Sequence, residues 1–99
     1  MLTKRFFKTK DEAEITFSFS HPEAKTVELA GDFNDWQPEP MKFIKKDSAF
    51  KLKHRLPTDK DYHFRYLIDG EVWDNDHQAD DYVPNGFGED NSVVSTARA

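Results

Sequence analysis

The chain has 99 residues, of which 36% are hydrophobic, 33% are charged and none is cysteine, and its formal net charge is −5. This length supports one core and excludes a two-core protein or a barrel-sized catalytic fold, and the lack of cysteine excludes disulfides and thiolate metal sites. Because 14% of the residues are aromatic, we expect one folded, acidic domain over residues 1–99 and not a disordered chain.

Alternating apolar and polar residues predict half-buried strands in the first half of the chain. The segment EITFSFS places Ile15, Phe17 and Phe19 on one face, and TVELAGD does the same with Val27 and Leu29. No window of about 11 residues has apolar positions at helical spacing, so little helix is expected.

Two longer strands are predicted in the second half. In FKLKHRL (50–56) the Phe and Leu side chains point inward, and the Lys and Arg side chains face water. In YHFRYLID (62–69) the Tyr, Phe and Ile side chains face the core, which leaves His63, Arg65 and Leu67 on the outer face. Asp69-Gly70 is a tight-turn signal that leads into a short EVW strand, and SVVST forms a closing strand.

Turn-forming clusters separate these strands at the spacing typical of an antiparallel sandwich. We therefore predict an all-β fold of about seven strands in two packed sheets, an immunoglobulin-like β-sandwich.

Charge is distributed unevenly along the chain. Between Asp69 and Asn91 there are eight acidic residues and no lysine or arginine, whereas lysines collect between Lys42 and Lys60. A nucleic-acid site would need a basic stripe that carries aromatic residues, and the net charge opposes one. No segment has the apolar length of a signal peptide or membrane span, so we expect a cytoplasmic protein that binds neither nucleic acid nor membrane.

Catalytic chemistry is not expected. Paired catalytic carboxylates need a shaped cleft, which a thin sandwich has little room to build, and no G-x-S-x-G turn is present. The four histidines lack zinc-ligand spacing. The acidic segment DNDHQADD (74–81) lacks the glycine and glutamate of a calcium-binding EF-hand loop, so we interpret it as a solvated loop. No catalytic residue, metal or cofactor is predicted.

The two tryptophans are the candidate binding residues. Trp36 ends the stretch GDFNDW, and Trp73 lies just past the Asp69-Gly70 turn. Each ring either caps one end of the core or stays exposed to stack on the apolar face of a sugar ring. In GDFNDW, Gly31 and Asn34 are suited to make the turn, and Phe33 is the expected core anchor.

Three segments resemble, in order and spacing, the glycogen-binding module of carbohydrate-binding module family 48: VELAGDFNDWQPEPMKF, YHFRYLIDGEVWDND and YVPNGFGEDNSVV. The same module is the isoamylase N-terminal (early set) domain of glycogen-branching and debranching enzymes, and the glycogen-binding domain of the AMP-activated protein kinase β subunit. The resemblance covers residues 26–94. It implies an immunoglobulin-like, early-set sandwich that binds α-1,4-linked glucans such as glycogen, starch or maltodextrin without catalysis of its own.

The resemblance also implies the binding residues. The two stacking tryptophans of the family fall on Trp36 and Trp73, and its basic residue falls on Arg65, where lysine is more familiar. Its apolar and asparagine contacts in the last loop fall on Phe87 and Asn91.

Three features of the chain depart from the family pattern. The DGEVW turn is one residue longer than in the kinase, which predicts a displaced or rotated Trp73. Asp76-His77 stands where Asp-Pro is common and predicts a looser loop. Glu89 replaces a small hydroxyl residue, adds negative charge and can accept hydrogen bonds from sugar hydroxyls.

Three functions are compatible with these sequence features. The leading hypothesis is a monomeric, non-catalytic glucan-binding module. The second is a protein-interaction module that docks on a glycogen-metabolising enzyme or kinase. The third is an enzyme, because related domains adjoin the barrels of family 13 glycoside hydrolases.

Overall fold

The computed structural model describes residues 1–98, which form ten β-strands and two single-turn 3₁₀ helices. The strands are β1 (Leu2–Phe6), β2 (Glu12–Phe19), β3 (Val27–Gly31), β4 (Glu39–Pro40), β5 (Lys42–Ile44), β6 (Ala49–Pro57), β7 (Asp61–Ile68), β8 (Val72–Asp74), β9 (Asp81–Pro84) and β10 (Asp90–Ser95). The 3₁₀ helices are Asp32–Asn34 and Lys45–Asp47. No helix in the described chain is long and apolar enough to cross a membrane.

The strands form two antiparallel sheets. One sheet has the order β1-β2-β6-β5, and the other has the order β4-β3-β7-β10-β9 with β8 paired to β7. The predicted all-β, immunoglobulin-like sandwich is confirmed. The strand count is higher than the predicted seven or so because β1, β4, β5 and β9 lie at or beside sheet edges and are short, so they show no clean alternation of apolar residues.

The core lies between the two sheets. In β2 every second residue is buried, with Ile15 and Phe17 fully buried and Phe19 5% exposed. The Phe17 ring meets the Phe64 ring of the opposite sheet edge to face, with the ring centroids 5.1 Å apart. Burying one such ring stabilises the fold by about 1.5–3 kcal/mol, so the predicted inward faces form the interface between the sheets.

The predicted two faces of β7 are also present. Phe64 and Tyr66 are fully buried and belong to the core, whereas Arg65 lies between them on the outer face. Arg65 is nevertheless only 8% exposed, because residues from neighbouring loops cover it.

The Asp69-Gly70 turn joins β7 to β8 as predicted. Both residues have positive φ angles, 53° and 69°, which suit the type I′ turn of a tight hairpin. The Asp69 carboxylate also accepts the backbone N–H groups of Lys25 (2.7 Å) and Thr26 (2.9 Å). The N–H groups of Thr26 and Lys25 lower the pKa of the Asp69 carboxyl, so the hairpin is held to the segment before β3 by a charged acceptor.

The segment after β8 is anchored, contrary to the expected loose, solvated loop. Asp76 has no exposed surface. Its carboxylate accepts hydrogen bonds from the Tyr66 hydroxyl at 2.7 Å and the Gln78 N–H at 2.8 Å, and its own N–H donates to Ser92 Oγ at 2.9 Å. Burial raises the pKa of Tyr66 well above its usual value, and the Asp76 carboxylate adds to the shift, so the Tyr66 hydroxyl remains a donor.

Candidate functional site

The turn after β3 is built around Gly31 and Asn34. The Gly31 N–H donates to Asn34 Oδ1 at 2.9 Å, and Asn34 Nδ2 donates to the Leu29 carbonyl at 3.1 Å. A Cβ atom at Gly31 would lie 2.6 Å from the His63 carbonyl oxygen, so the close approach of β3 to β7 requires glycine. Phe33 packs against the core as predicted.

Trp36 is held in a strained backbone conformation. Its φ angle of 59° is left-handed, which costs a bulky residue about 1–2 kcal/mol. The Trp36 N–H donates to the Gly31 carbonyl at 2.9 Å, and the indole Nε1–H donates to Asp32 Oδ1 at 3.0 Å. Since the other oxygen of Asp32 accepts the His63 N–H at 2.7 Å, one carboxylate ties the indole to β7.

Trp73 is placed by a regular strand. In β8 it lies directly opposite Leu67, and paired residues share a face of the sheet. Leu67 and Arg65 are two residues apart in β7 and share a face, so Trp73 lies on the outer face with Arg65. Trp73 is 40% exposed and Trp36 half-buried, and neither ring belongs to the core cluster. The alternative in which both rings cap the core is therefore not what the structure shows.

Arg65 pairs with a residue of the last loop. Its Nη2 donates to Glu89 Oε2 at 2.8 Å, while its buried Nε has no hydrogen-bond partner within the described residues. Glu89, predicted to add negative charge to the last loop, is thus the partner of Arg65. The guanidinium has further N–H donors besides the one that Glu89 accepts.

The loop between β9 and β10 presents Phe87. Gly86 and Gly88 flank this ring with φ angles of 85° and 81°, which L side chains rarely adopt. The Phe87 N–H donates to Asn85 Oδ1 at 2.9 Å, and the Asn85 N–H donates to the Glu89 carbonyl at 3.0 Å. The ring is 88% exposed, unusually high for a phenylalanine, so the loop holds an apolar surface in water.

These elements meet around one open cleft of about 320 Å³. All five residues predicted as binding residues line it, together with two more that were not predicted: Asp32, Trp36, Arg65, Trp73, Asn85, Phe87 and Asn91. Two signals in the sequence point to these residues. A half-buried indole N–H needs a hydrogen-bond acceptor nearby, which Asp32 can supply, and Asn85 stands just before Gly86 in a turn.

The cleft combines aromatic surface with hydrogen-bonding groups. Three aromatic rings can stack on apolar faces, and the guanidinium and two carboxamides can bind hydroxyl groups. Asp32, the one acid that lines the cleft within residues 1–98, already uses both oxygens. No group of three His, Cys, Asp or Glu residues in this part of the chain is arranged to hold a metal ion.

A protein-family model matches most of the chain. The family model for the glycogen recognition site of AMP-activated protein kinase matches residues 13–98, which include every residue of the cleft. No curated protein matches the chain. Because the match covers most of its length, the chain belongs to the family of the glycogen recognition site of AMP-activated protein kinase.

Proposed function

We propose that this protein is a non-catalytic module that binds α-1,4-linked glucans, such as glycogen, starch or maltodextrin, by stacking sugar rings on Trp36 and Trp73. The observation that carries the proposal is the cleft, where two indoles and a phenyl ring lie beside one guanidinium and two carboxamides. Sugar rings have apolar C–H faces edged by hydroxyl groups, which match this combination. Membership in a glycogen-recognition family supports the same ligand class.

Stacking on the two indoles supplies most of the binding free energy. If each ring buries about 100 Å² against a sugar, each contributes roughly 2.5 kcal/mol at 25 cal/mol per Å². Two rings and a few hydrogen bonds offset an association cost of roughly 4 kcal/mol or more, which gives a dissociation constant on the order of 10 µM to 1 mM. Longer oligosaccharides should bind more tightly than maltose because they span both rings.

Arg65 and Asn91 orient the sugar in this proposal. Glu89 takes one of the guanidinium donors and Nε is buried, so the donors left for hydroxyl oxygens of the glucan are the remaining Nη N–H groups. Asn91 Oδ1 lies 3.5 Å from Asn85 Nδ2, so the two amides are only loosely coupled to each other. Both amides can therefore accept and donate hydrogen bonds to a hydroxyl group.

Isothermal titration calorimetry with maltoheptaose tests the proposal. Wild type should bind in the range given above, and Trp73→Ala should weaken binding by roughly tenfold or more. The melting temperature of Trp73→Ala should differ from that of wild type by only a few degrees, because the Trp73 ring is 40% exposed and lies outside the core. No heat or chemical-shift change with millimolar maltoheptaose would refute glucan binding.

Phe43→Ala is the matched control. Phe43 is 48% exposed and lies on β5 in the other sheet, so its loss should leave glucan affinity unchanged. The same variant tests the second candidate function, docking on a glycogen-metabolising enzyme or kinase, since Phe43 is exposed apolar surface away from the cleft. Docking would be favoured by two results together. Wild type would bind no glucan, and a glycogen-metabolising enzyme or kinase would co-purify with wild type but not with Phe43→Ala.

A further inference from the structure

The cleft wall and the last loop are joined by one ion pair. Arg65 Nη2 lies 2.8 Å from Glu89 Oε2. The Arg65 side chain is 10% exposed, whereas the Glu89 side chain is 58% exposed. The solvent around the cleft therefore meets far more of the carboxylate than of the guanidinium.

This pair decides the charge that the cleft presents. Within residues 1–98, Arg65 is the one cation among the lining residues and Asp32 the one acid. An unpaired arginine would attract phosphate and carboxylate groups, because its planar fork of donors fits them in pairs of hydrogen bonds. With Glu89 compensating Arg65, the Asp32 carboxylate leaves the site net negative.

We propose, on the basis of the glucan-binding function above, that Glu89 determines the charge specificity of the cleft. By neutralising Arg65 it makes the site accept uncharged glucans and discriminate against phosphorylated ones. The unused N–H groups of Arg65 still donate to neutral hydroxyl oxygens. A phosphate group, by contrast, meets no uncompensated cation and is repelled by the Asp32 carboxylate.

The test compares two probes by isothermal titration calorimetry: maltoheptaose, and maltoheptaose with a phosphate ester on O6 of one internal glucose. Like charges about 8 Å apart near a protein surface should weaken binding of the phosphate ester roughly tenfold. The ratio of the two dissociation constants should shrink in about 0.5 M salt, because salt screens this repulsion. Steric exclusion of the phosphate would not depend on salt.

Glu89→Gln removes the negative charge of residue 89 but keeps an oxygen that can accept a hydrogen bond from Arg65. Because this hydrogen bond can still form, the affinity for maltoheptaose should stay within about threefold of wild type. The ratio of the dissociation constants of the phosphate ester and maltoheptaose should fall to about twofold or less. Glu89→Asp retains the charge and should retain the ratio. Glu14→Gln is the matched control, since Glu14 lies on the other sheet and contacts Lys53 at 4.0 Å, and it should leave the ratio unchanged.

The outcomes separate this inference from the function on which it rests. If wild type binds maltoheptaose but binds the phosphate ester equally well or more tightly, the charge specificity is overturned and glucan binding stands. An unchanged ratio in Glu89→Gln also overturns it. If neither probe binds, glucan binding is refuted and the specificity is refuted with it.

Discussion

The aromatic residues of the core and those of the cleft are held in place by different forces. Phe17, Phe64 and Tyr66 have no exposed surface; the Phe17 and Phe64 rings meet across the two sheets, and the Phe64 and Tyr66 rings meet within β7. Trp73 and Phe87 are 40% and 88% exposed, so water covers much of their apolar surface. Removing a core ring should therefore cost stability, and removing a cleft ring should cost ligand affinity.

The cleft also contains backbone strain that the core lacks. Left-handed φ angles occur at two non-glycine residues of one cleft loop, Asp35 (55°) and Trp36 (59°), whereas Gly86 and Gly88 adopt theirs in the other loop without strain. Hydrogen bonds hold these loops, such as the one from the Trp36 indole to Asp32. Strain of this kind persists only where the surrounding structure holds the residue in that conformation.

The largest expected effect is a loss of folding stability when an aromatic residue of the core is removed. Phe17→Ala should lower the free energy of unfolding by about 3–5 kcal/mol, because it leaves a cavity beside Phe64 and Phe33. Urea denaturation measures the change, and Phe17→Leu should lose much less because it fills most of the volume. Maltoheptaose affinity should be unchanged under conditions where the variant is folded. A loss below about 1 kcal/mol would mean that this ring is not central to the core.

A smaller effect on stability is expected at Trp36, where two variants distinguish backbone strain from contact with the ligand. Trp36→Ala and Trp36→Gly both remove the indole, so both should lose most of the affinity for maltoheptaose. Trp36→Gly should be more stable than Trp36→Ala by about 1 kcal/mol, because glycine adopts a φ angle of 59° without strain. Thermal and urea unfolding of the two variants measure this difference. Equal stabilities would show that the left-handed conformation costs little.

The smallest expected effect depends on pH and concerns the hairpin that carries Trp73. Asp69 has its pKa lowered from 3.8 by the N–H groups of Thr26 and Lys25, so the folded state favours the carboxylate. Its contribution to stability is present above the unfolded pKa and is lost as the pH falls through the lower folded pKa. Asp69→Asn keeps the turn, since asparagine tolerates positive φ, but lacks this contribution.

The stability difference between wild type and Asp69→Asn should be constant from about pH 6 to pH 5 and shrink below about pH 4. Urea unfolding at several pH values measures it. Asp59 has its pKa lowered by Arg98 at the far end of β7 and gives a comparison, because Asp59→Asn should show the same pH trend without involving the hairpin. A difference that grows as the pH falls would contradict the assignment at Asp69.

Much of the fold was predictable because its determinants are local. The burial of β2 and β7 follows from alternation of residue type, and the Asp69-Gly70 hairpin follows from two residues that tolerate positive φ. Phe87 and Asn91, by contrast, were predicted only from the resemblance to a known family. Asp32 and Asn85 were not predicted as cleft residues, because their roles depend on hydrogen bonds that form in the folded protein, from the Trp36 indole to Asp32 and from the Phe87 N–H to Asn85.

The sequence by itself determined which residues face the core, where the tight turn lies and which segments resemble a glycogen-recognition module. Only the tertiary structure decided the rest. Asp76 is buried because Tyr66 and Ser92 lie beside it, and Arg65 is compensated because Glu89, 24 residues away, reaches it across the last loop. Alternation and turn preferences act between near neighbours in the chain, whereas ion pairs and shared clefts form between residues that only the folded sheets bring together.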